Sequence, residues 1–161
     1  MKAVYLETSV FSYLTGRPSR DLLASARQQI TELWWHDQRR RFELFVSPLV
    51  GKEAGRGDPE AAERRLSAMT GISQLAVNSE VERLAAQLIQ DGALPSTATE
   101  DALHVALAAV HRIDYFLTWN CRRIDNAEKK PEIRAVCAAL GYPCPEICTP
   151  EELMGGSFDE G

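Results

Sequence analysis

The apolar positions fall into short unbroken runs separated by longer stretches of helical spacing. Ala3 to Leu6 is a run of the kind a buried strand carries, and Glu7, Thr8 and Ser9 follow it directly. Val10, Phe11, Tyr13 and Leu14 then recur at helical spacing until Gly16 and Pro18 end the helix. The pattern predicts a long second helix from about Arg20 to Arg40, with Leu22, Leu23, Ala26, Ile30, Leu33 and Trp34 along one stripe. Further short strands are predicted at Leu44 to Val46, Leu75 to Val77, Tyr115 to Thr118 and Glu146 to Cys148.

Helix starts carry their own signatures. Ser47 before Pro48, and Asp58 before Pro59, each place a capping side chain ahead of a proline at the first helical position. Ser79-Glu80-Val81-Glu82 and Thr97-Ala98-Thr99-Glu100 read as capping boxes. The second opens a helix through Ala102 to Val110 that is apolar nearly all round and therefore predicted to be buried. Ile133 to Leu140 is a helix ended by Gly141, and Thr149-Pro150-Glu151-Glu152 caps a last helical turn.

Short apolar strands alternating with helices predict an α/β fold with a parallel sheet covered on both faces. With no internal repeat and no interdomain linker, residues 1–154 read as one domain, and the glycine-rich acidic stretch 155–161 as a disordered tail. Composition agrees: 161 residues, 45% hydrophobic and 25% charged, lie in the globular range. No apolar run reaches membrane-spanning length, and the N-terminus lacks the basic region and cleavage site of a signal peptide, so a cytoplasmic location is expected. The four cysteines, Cys121, Cys137, Cys144 and Cys148, then meet a reducing compartment. Their tightest spacing, Cys144-x-x-x-Cys148 with Pro145 inside it, is poor for zinc, so they are expected to be semi-buried thiols.

In parallel sheets, functional groups collect beyond the carboxyl ends of the strands. Glu7 follows the first strand, Glu53 lies in the helix after the second, and Asp101 sits in the first turns of the buried helix. Asn120 lies just past Thr118. Three carboxylates and an amide suit a hard divalent ion, Mg²⁺ or Mn²⁺, that activates water against a phosphodiester. Each residue also has a plainer reading: a helix-start anion for Glu7, a surface residue for Glu53, a turn residue for Asn120. Asp101 is left without a structural task once Glu100 fills the capping box. His104, one turn on from Asp101, reads as a hydrogen-bonded core or outer-sphere histidine rather than a ligand. The net charge of −5 excludes nucleic-acid binding by bulk electrostatics alone. The basic bunches are ordinary solvated faces, with Arg122-Arg123 the one placed near the proposed site.

These residues resemble the PIN-domain nucleases, specifically the VapC-type toxin ribonucleases of bacterial type II toxin–antitoxin modules. The likeness runs from Val4-Tyr5-Leu6-Glu7-Thr8-Ser9-Val10 through Glu53 and Asp101-Ala102-Leu103-His104-Val105-Ala106-Leu107-Ala108 to Leu117-Thr118-Trp119-Asn120-Cys121-Arg122. It implies a three-layer α/β/α sandwich and a Mg²⁺- or Mn²⁺-dependent endoribonuclease with Glu7, Glu53, Asp101 and Asn120 catalytic. Glu7, Asp101 and Asn120 would be metal ligands. Thr8, Ser9, His104 and Thr118 would support them, and Arg122 and Arg123 would contact phosphate. It further implies an RNA substrate, a cognate antitoxin and a homodimer; Trp34, Trp35 and the first helix are the candidate lining of an antitoxin groove. Two residues depart from the family pattern. Glu7 replaces the usual first aspartate with a longer acid, and Asn120 replaces a fourth acid with a neutral amide.

Two other classes stay open at this stage. An aspartyl-phosphate phosphatase also begins with a strand and a carboxylate, but no aspartate stands in register beside Glu7 to act as nucleophile. The alternative with more support is an RNA- or partner-binding module that keeps the fold with a weakened or inactive metal site.

Overall fold

The computed structural model describes residues 1–155, so apart from Gly155 the expected tail at 155–161 lies outside the described residues. The short apolar runs form five strands: β1 (Lys2–Leu6), β2 (Phe42–Val46), β3 (Ser73–Gln74), β4 (Tyr115–Leu117) and β5 (Glu146–Cys148). All pair in parallel in the order β3-β2-β1-β4-β5. The first strand is therefore central. Tyr5 stands opposite Phe45 on one side and Phe116 on the other. Val4, Tyr5, Leu6, Phe116 and Leu117 are fully buried, as strands covered on both faces require.

The helices are α1 (Thr8–Thr15), α2 (Leu22–Leu33), α3 (Pro48–Ala54), α4 (Pro59–Ala68), α5 (Ser79–Gln90), α6 (Thr99–Val110) and α7 (Lys130–Ala139). They pack in two groups: α1 against α2, α3 and α4, and α5 against α6 and α7. The architecture is a three-layer α/β/α sandwich, as expected. Ser47 and Asp58 cap α3 and α4 through their side chains, each ahead of its proline. Thr149 and Glu152 exchange the two bonds of a capping box, Thr149 N–H to Glu152 Oε1 (3.2 Å) and Glu152 N–H to Thr149 Oγ1 (3.3 Å).

Several expectations are corrected. The helix predicted to reach Arg40 stops at Leu33 and gives way to a π-helical turn (Trp34–Gln38) and a 3₁₀ turn (Arg39–Arg41). That widening carries Trp34 into the core, stacked on Phe42 at 6.0 Å, so Trp34 lines no surface groove. Trp35 is half-buried between the Phe11 ring and the Arg39 guanidinium. The apolar stripe of α2 does not face the core either. Leu22, Leu23 and Leu33 are 87%, 60% and 53% exposed. The inward residue is polar: Thr31, fully buried, donates to the Arg27 carbonyl and accepts the Trp119 indole N–H.

The two capping boxes also shift. Asn78, not Ser79, caps α5, accepting the Val81 N–H at 2.9 Å. Helix α6 starts at Thr99 after Ala98 with no side-chain cap, because Glu100 is held instead by the Arg56 guanidinium at 2.8 and 3.1 Å. The strand expected at Leu75 to Val77 lies at Ser73–Gln74, since β2 ends at Val46, whose carbonyl takes the Leu75 N–H. Cys137 and Cys148 are buried, Cys121 and Cys144 half-buried, and all four thiols are free. Among the described residues no helix is long and apolar enough to cross a membrane.

Candidate active site

The carboxyl ends of β1, β2 and β4 meet at one edge of the sheet, and Glu7, Ser47 and Thr118 are the first residues beyond them. Glu7 is buried, 7% exposed, and it caps α1. Its carboxylate accepts the Ser9 N–H (3.1 Å), the Ser9 hydroxyl (2.5 Å) and the Thr118 hydroxyl (2.6 Å). Ser9 Oγ in turn accepts the Trp119 N–H, and Thr118 Oγ1 the Asn120 N–H. The loop after β4 is thus stitched to the start of α1 through the residues that hold Glu7.

Glu53, on α3, is brought to the same edge. Its Oε1 accepts the Thr8 hydroxyl and bonds His104 Nε2 at 2.6 Å. Donor atoms of Glu7, Glu53 and His104 all lie within 4.8 Å of one another. His104 is fully buried, and its other ring nitrogen, Nδ1, bonds the Tyr5 hydroxyl at 2.7 Å. Tyr5 continues to Ser47 at 2.8 Å. Burial by itself would lower the His104 pKa. The Glu53 bond and the charges of Glu7, Glu53 and Asp101 reverse that and raise it. Burial pushes the Tyr5 phenol well up, so it stays a neutral donor.

Asp101 and Asn120 form an outer half. Asn120 Nδ2 reaches Asp101 Oδ1 at 3.5 Å, and Arg123 Nη1 reaches Asp101 Oδ2 at 3.3 Å. Asn120 Oδ1 accepts the Arg123 N–H at 3.2 Å. These partners fix the amide orientation, because a flipped Asn120 would set oxygen against carboxylate and N–H against N–H. The oxygen that would ligate a metal is therefore turned toward the Arg123 backbone, and Asn120 serves Asp101 as a donor. Burial pushes the Asp101 carboxyl up; the Arg123 bond opposes this and the Glu7 charge adds to it. Glu100, gripped first by Arg56 and touching Glu53, falls to about 2 and stays ionised beside the site.

Of the four expected catalytic residues, Glu7 and Glu53 converge directly, and Asp101 and Asn120 stand together beside them. Tyr5 and Ser47 are members that sequence reading missed. The available signal was a tyrosine inside a buried strand, whose hydroxyl must find a partner. Arg122 and Arg123 line a cavity of about 390 Å³ with Lys129 over an apolar floor of Ile89, Leu94 and Pro95. Arg123 thus belongs both to this cationic pocket and to the acidic site.

The residues fit a hard cation. The buried Glu7 and half-buried Glu53 carboxylates, within 4.8 Å, repel each other, and among the described residues neither has an Arg or Lys bonded to it. These two carboxylates supply oxygen, the donor type of Mg²⁺ or Mn²⁺. The third member of the group, His104, already bonds Glu53, and Asp101 lies outside the group.

No protein-family model matches the sequence, and no curated protein matches it. Among solved structures, the chain aligns with one chain of VapBC2 from Rickettsia felis, solved bound to a DNA fragment from their promoter, at a TM-score of 0.54. The alignment covers 91% of this chain and 98% of that one at 12% identity. At that identity the likeness is one of fold, and the fold is the PIN-like α/β/α sandwich that the resemblance of the sequence implies.

Proposed function

We propose that the protein is a Mg²⁺- or Mn²⁺-dependent endoribonuclease, the toxin of a toxin–antitoxin pair. The observation that carries this is the convergence of Glu7 and Glu53 beyond the central strand of a VapBC2-like fold, with Asp101 near enough for the Glu7 charge to act on it. Glu7, Glu53 and Asp101 would hold the ion, which supplies Lewis acidity toward a phosphodiester and lowers the pKa of a water. Ser9 and Thr118 hold the Glu7 carboxylate in place with two hydroxyl bonds and one N–H. Thr8 and His104 do the same for Glu53. Asn120 steadies Asp101, and Arg123, with Arg122 and Lys129 behind it, offers cationic contact to the RNA backbone on the Asp101 side. The antitoxin and homodimer belong to the same proposal, with Leu22, Leu23 and Leu33 the apolar residues that α2 leaves exposed.

The test is cleavage of a panel of structured RNAs by purified protein with Mg²⁺ or Mn²⁺. We expect cutting that EDTA abolishes and that Glu7→Gln and Asp101→Asn each reduce by about 100-fold or more, as loss of a charged group acting on the transition state does. Absence of cutting with either metal, together with unchanged metal binding in both variants, would falsify the proposal. One observation favours the second reading, an RNA- or partner-binding module. Arg123 already neutralises Asp101, the position where an ion would otherwise be required. RNA binding that persists in EDTA, without cleavage in metal, selects that reading.

A further inference from the structure

His104 offers a ring nitrogen among the Glu7 and Glu53 oxygens and, by distance alone, would count as a third metal ligand. Hydrogen-bond accounting gives that nitrogen a partner already, the Glu53 carboxylate. An ionised Glu53 carboxylate only accepts, so the 2.6 Å contact requires a proton on His104 Nε2. With a neutral ring, Nδ1 is then bare and accepts from the Tyr5 hydroxyl. The Tyr5 oxygen in turn accepts from the Ser47 hydroxyl, and Ser47 Oγ accepts the Val50 N–H at 3.4 Å. Every donor is used once and every bond has one direction. If the ring is charged, the Tyr5 and Ser47 bonds reverse and the Nε2–H bond to Glu53 does not. In both states Nε2–H donates to Glu53, so the bond that holds the carboxylate is kept.

We propose that His104 is a positioning residue that donates from Nε2 to Glu53 and sets its carboxylate for the metal, and is not itself a ligand. Four elements are joined through it. Tyr5 on β1 and Ser47 at the end of β2 fix the ring, α6 carries it, and Glu53 on α3 receives it. Ser47 also caps the helix that carries Glu53, so both ends of α3 are tied to one network. The Thr8 and His104 donors meet at the same oxygen of Glu53, Oε1, and so hold that atom in place. Such partners fix ligand orientation, and their loss typically weakens metal binding about 10- to 100-fold.

The inference rests on the metal-nuclease reading, and the experiment separates the two. In ¹⁵N-labelled full-length protein, ring nitrogen shifts read the protonation of each histidine nitrogen without metal, with His104→Gln supplying the assignment. A protonated Nε2 on His104 is expected; an unprotonated Nε2 overturns the inference. Mn²⁺ affinity is then measured by electron paramagnetic resonance for wild type, His104→Gln and His104→Leu. Gln keeps an N–H at the Nε2 position, so its affinity should stay within about threefold of wild type, while Leu should lose about tenfold or more. Equal Mn²⁺ affinity in the Leu variant, or a directly bound ¹⁴N signal in wild type, overturns positioning. If the Leu variant does not fold, the ring protonation and the Gln affinity still decide. Failure of wild type to bind Mn²⁺ sinks the nuclease reading alone, because the Nε2 proton is read independently of metal.

Discussion

Glu7→Gln makes a sharper test of the site than loss of activity, because its effect on stability has an expected size and changes with metal. The Glu7 and Glu53 carboxylates present oxygens within 4.8 Å, which at an effective dielectric of about 20 is roughly 3.5 kcal/mol of repulsion. Glutamine removes it. The substitution also weakens three bonds to Glu7, from Ser9 N–H, Ser9 Oγ and Thr118 Oγ1, by about 1 kcal/mol each as a charged acceptor becomes neutral. The two effects nearly cancel, so in EDTA the variant should lie within about 1 kcal/mol of wild type. A buried carboxylate serving only the fold would instead cost about 3 kcal/mol or more when neutralised. With Mg²⁺ at a hundred times its dissociation constant, wild type should gain about 2.7 kcal/mol, and a variant binding about 100-fold more weakly only about 0.4 kcal/mol. Urea unfolding followed by far-ultraviolet circular dichroism, in EDTA and in Mg²⁺, measures all four states. A loss above about 3 kcal/mol in EDTA, or no metal-dependent gain in wild type, refutes the like-charge account.

Other substitutions probe what holds the site's surroundings. Lys130→Met strands the Asp125 carboxylate, 6% exposed and paired to Lys130 at 2.7 Å, and should cost about 3–5 kcal/mol near neutral pH; Lys130→Met with Asp125→Asn should recover much of it. Burial already raises the Asp125 pKa, so in Lys130→Met the cost applies above the folded pKa and fades as pH falls toward the unfolded carboxylate value. Urea midpoints at pH 4 and pH 7 check the sign, and a cost that grows on acidification contradicts it. Thr31→Val leaves the buried Trp119 indole N–H without its 2.8 Å acceptor, for about 1–3 kcal/mol. Thr31→Val combined with Trp119→Phe should then cost less than the sum of the single variants in thermal melts. Trp34→Phe should change stability by under about 1.5 kcal/mol by the same melts, although Trp34 is fully buried, because its Nε1 has no partner among the described residues and removing it offsets lost packing.

What was legible in the sequence follows from what local patterns encode. β1 and Glu7 were readable because an unbroken apolar run and a helix-starting anion are features of adjacent residues. His104 was readable as a bonded core histidine because a polar residue in an otherwise apolar helix must find partners. Glu53 gave no local signal; it matters only because the order β2-β1-β4 brings α3 and α6 to one edge. The α2 stripe misled for a related reason. Periodicity reports that a face is apolar but not whether the same chain covers it, and here the core side is held by Thr31 and Trp34. Asn120 showed its residue type but not its orientation, which depends on Asp101 and Arg123 across the loop.

The central place of β1 has a consequence for when the site comes into being. Glu7, just past β1, is synthesised well before β4, and the Thr118 hydroxyl that holds its carboxylate lies 111 residues later. Pairings of such separation carry a high loop-closure cost and form slowly compared with the local helices. A nascent or truncated chain ending before β4 has Glu7 but neither the neighbouring strand nor the loop that orients it. Ordering of the Glu7 carboxylate is therefore expected late in folding, and fragments lacking β4 should lack the ordered cluster whatever acids they carry.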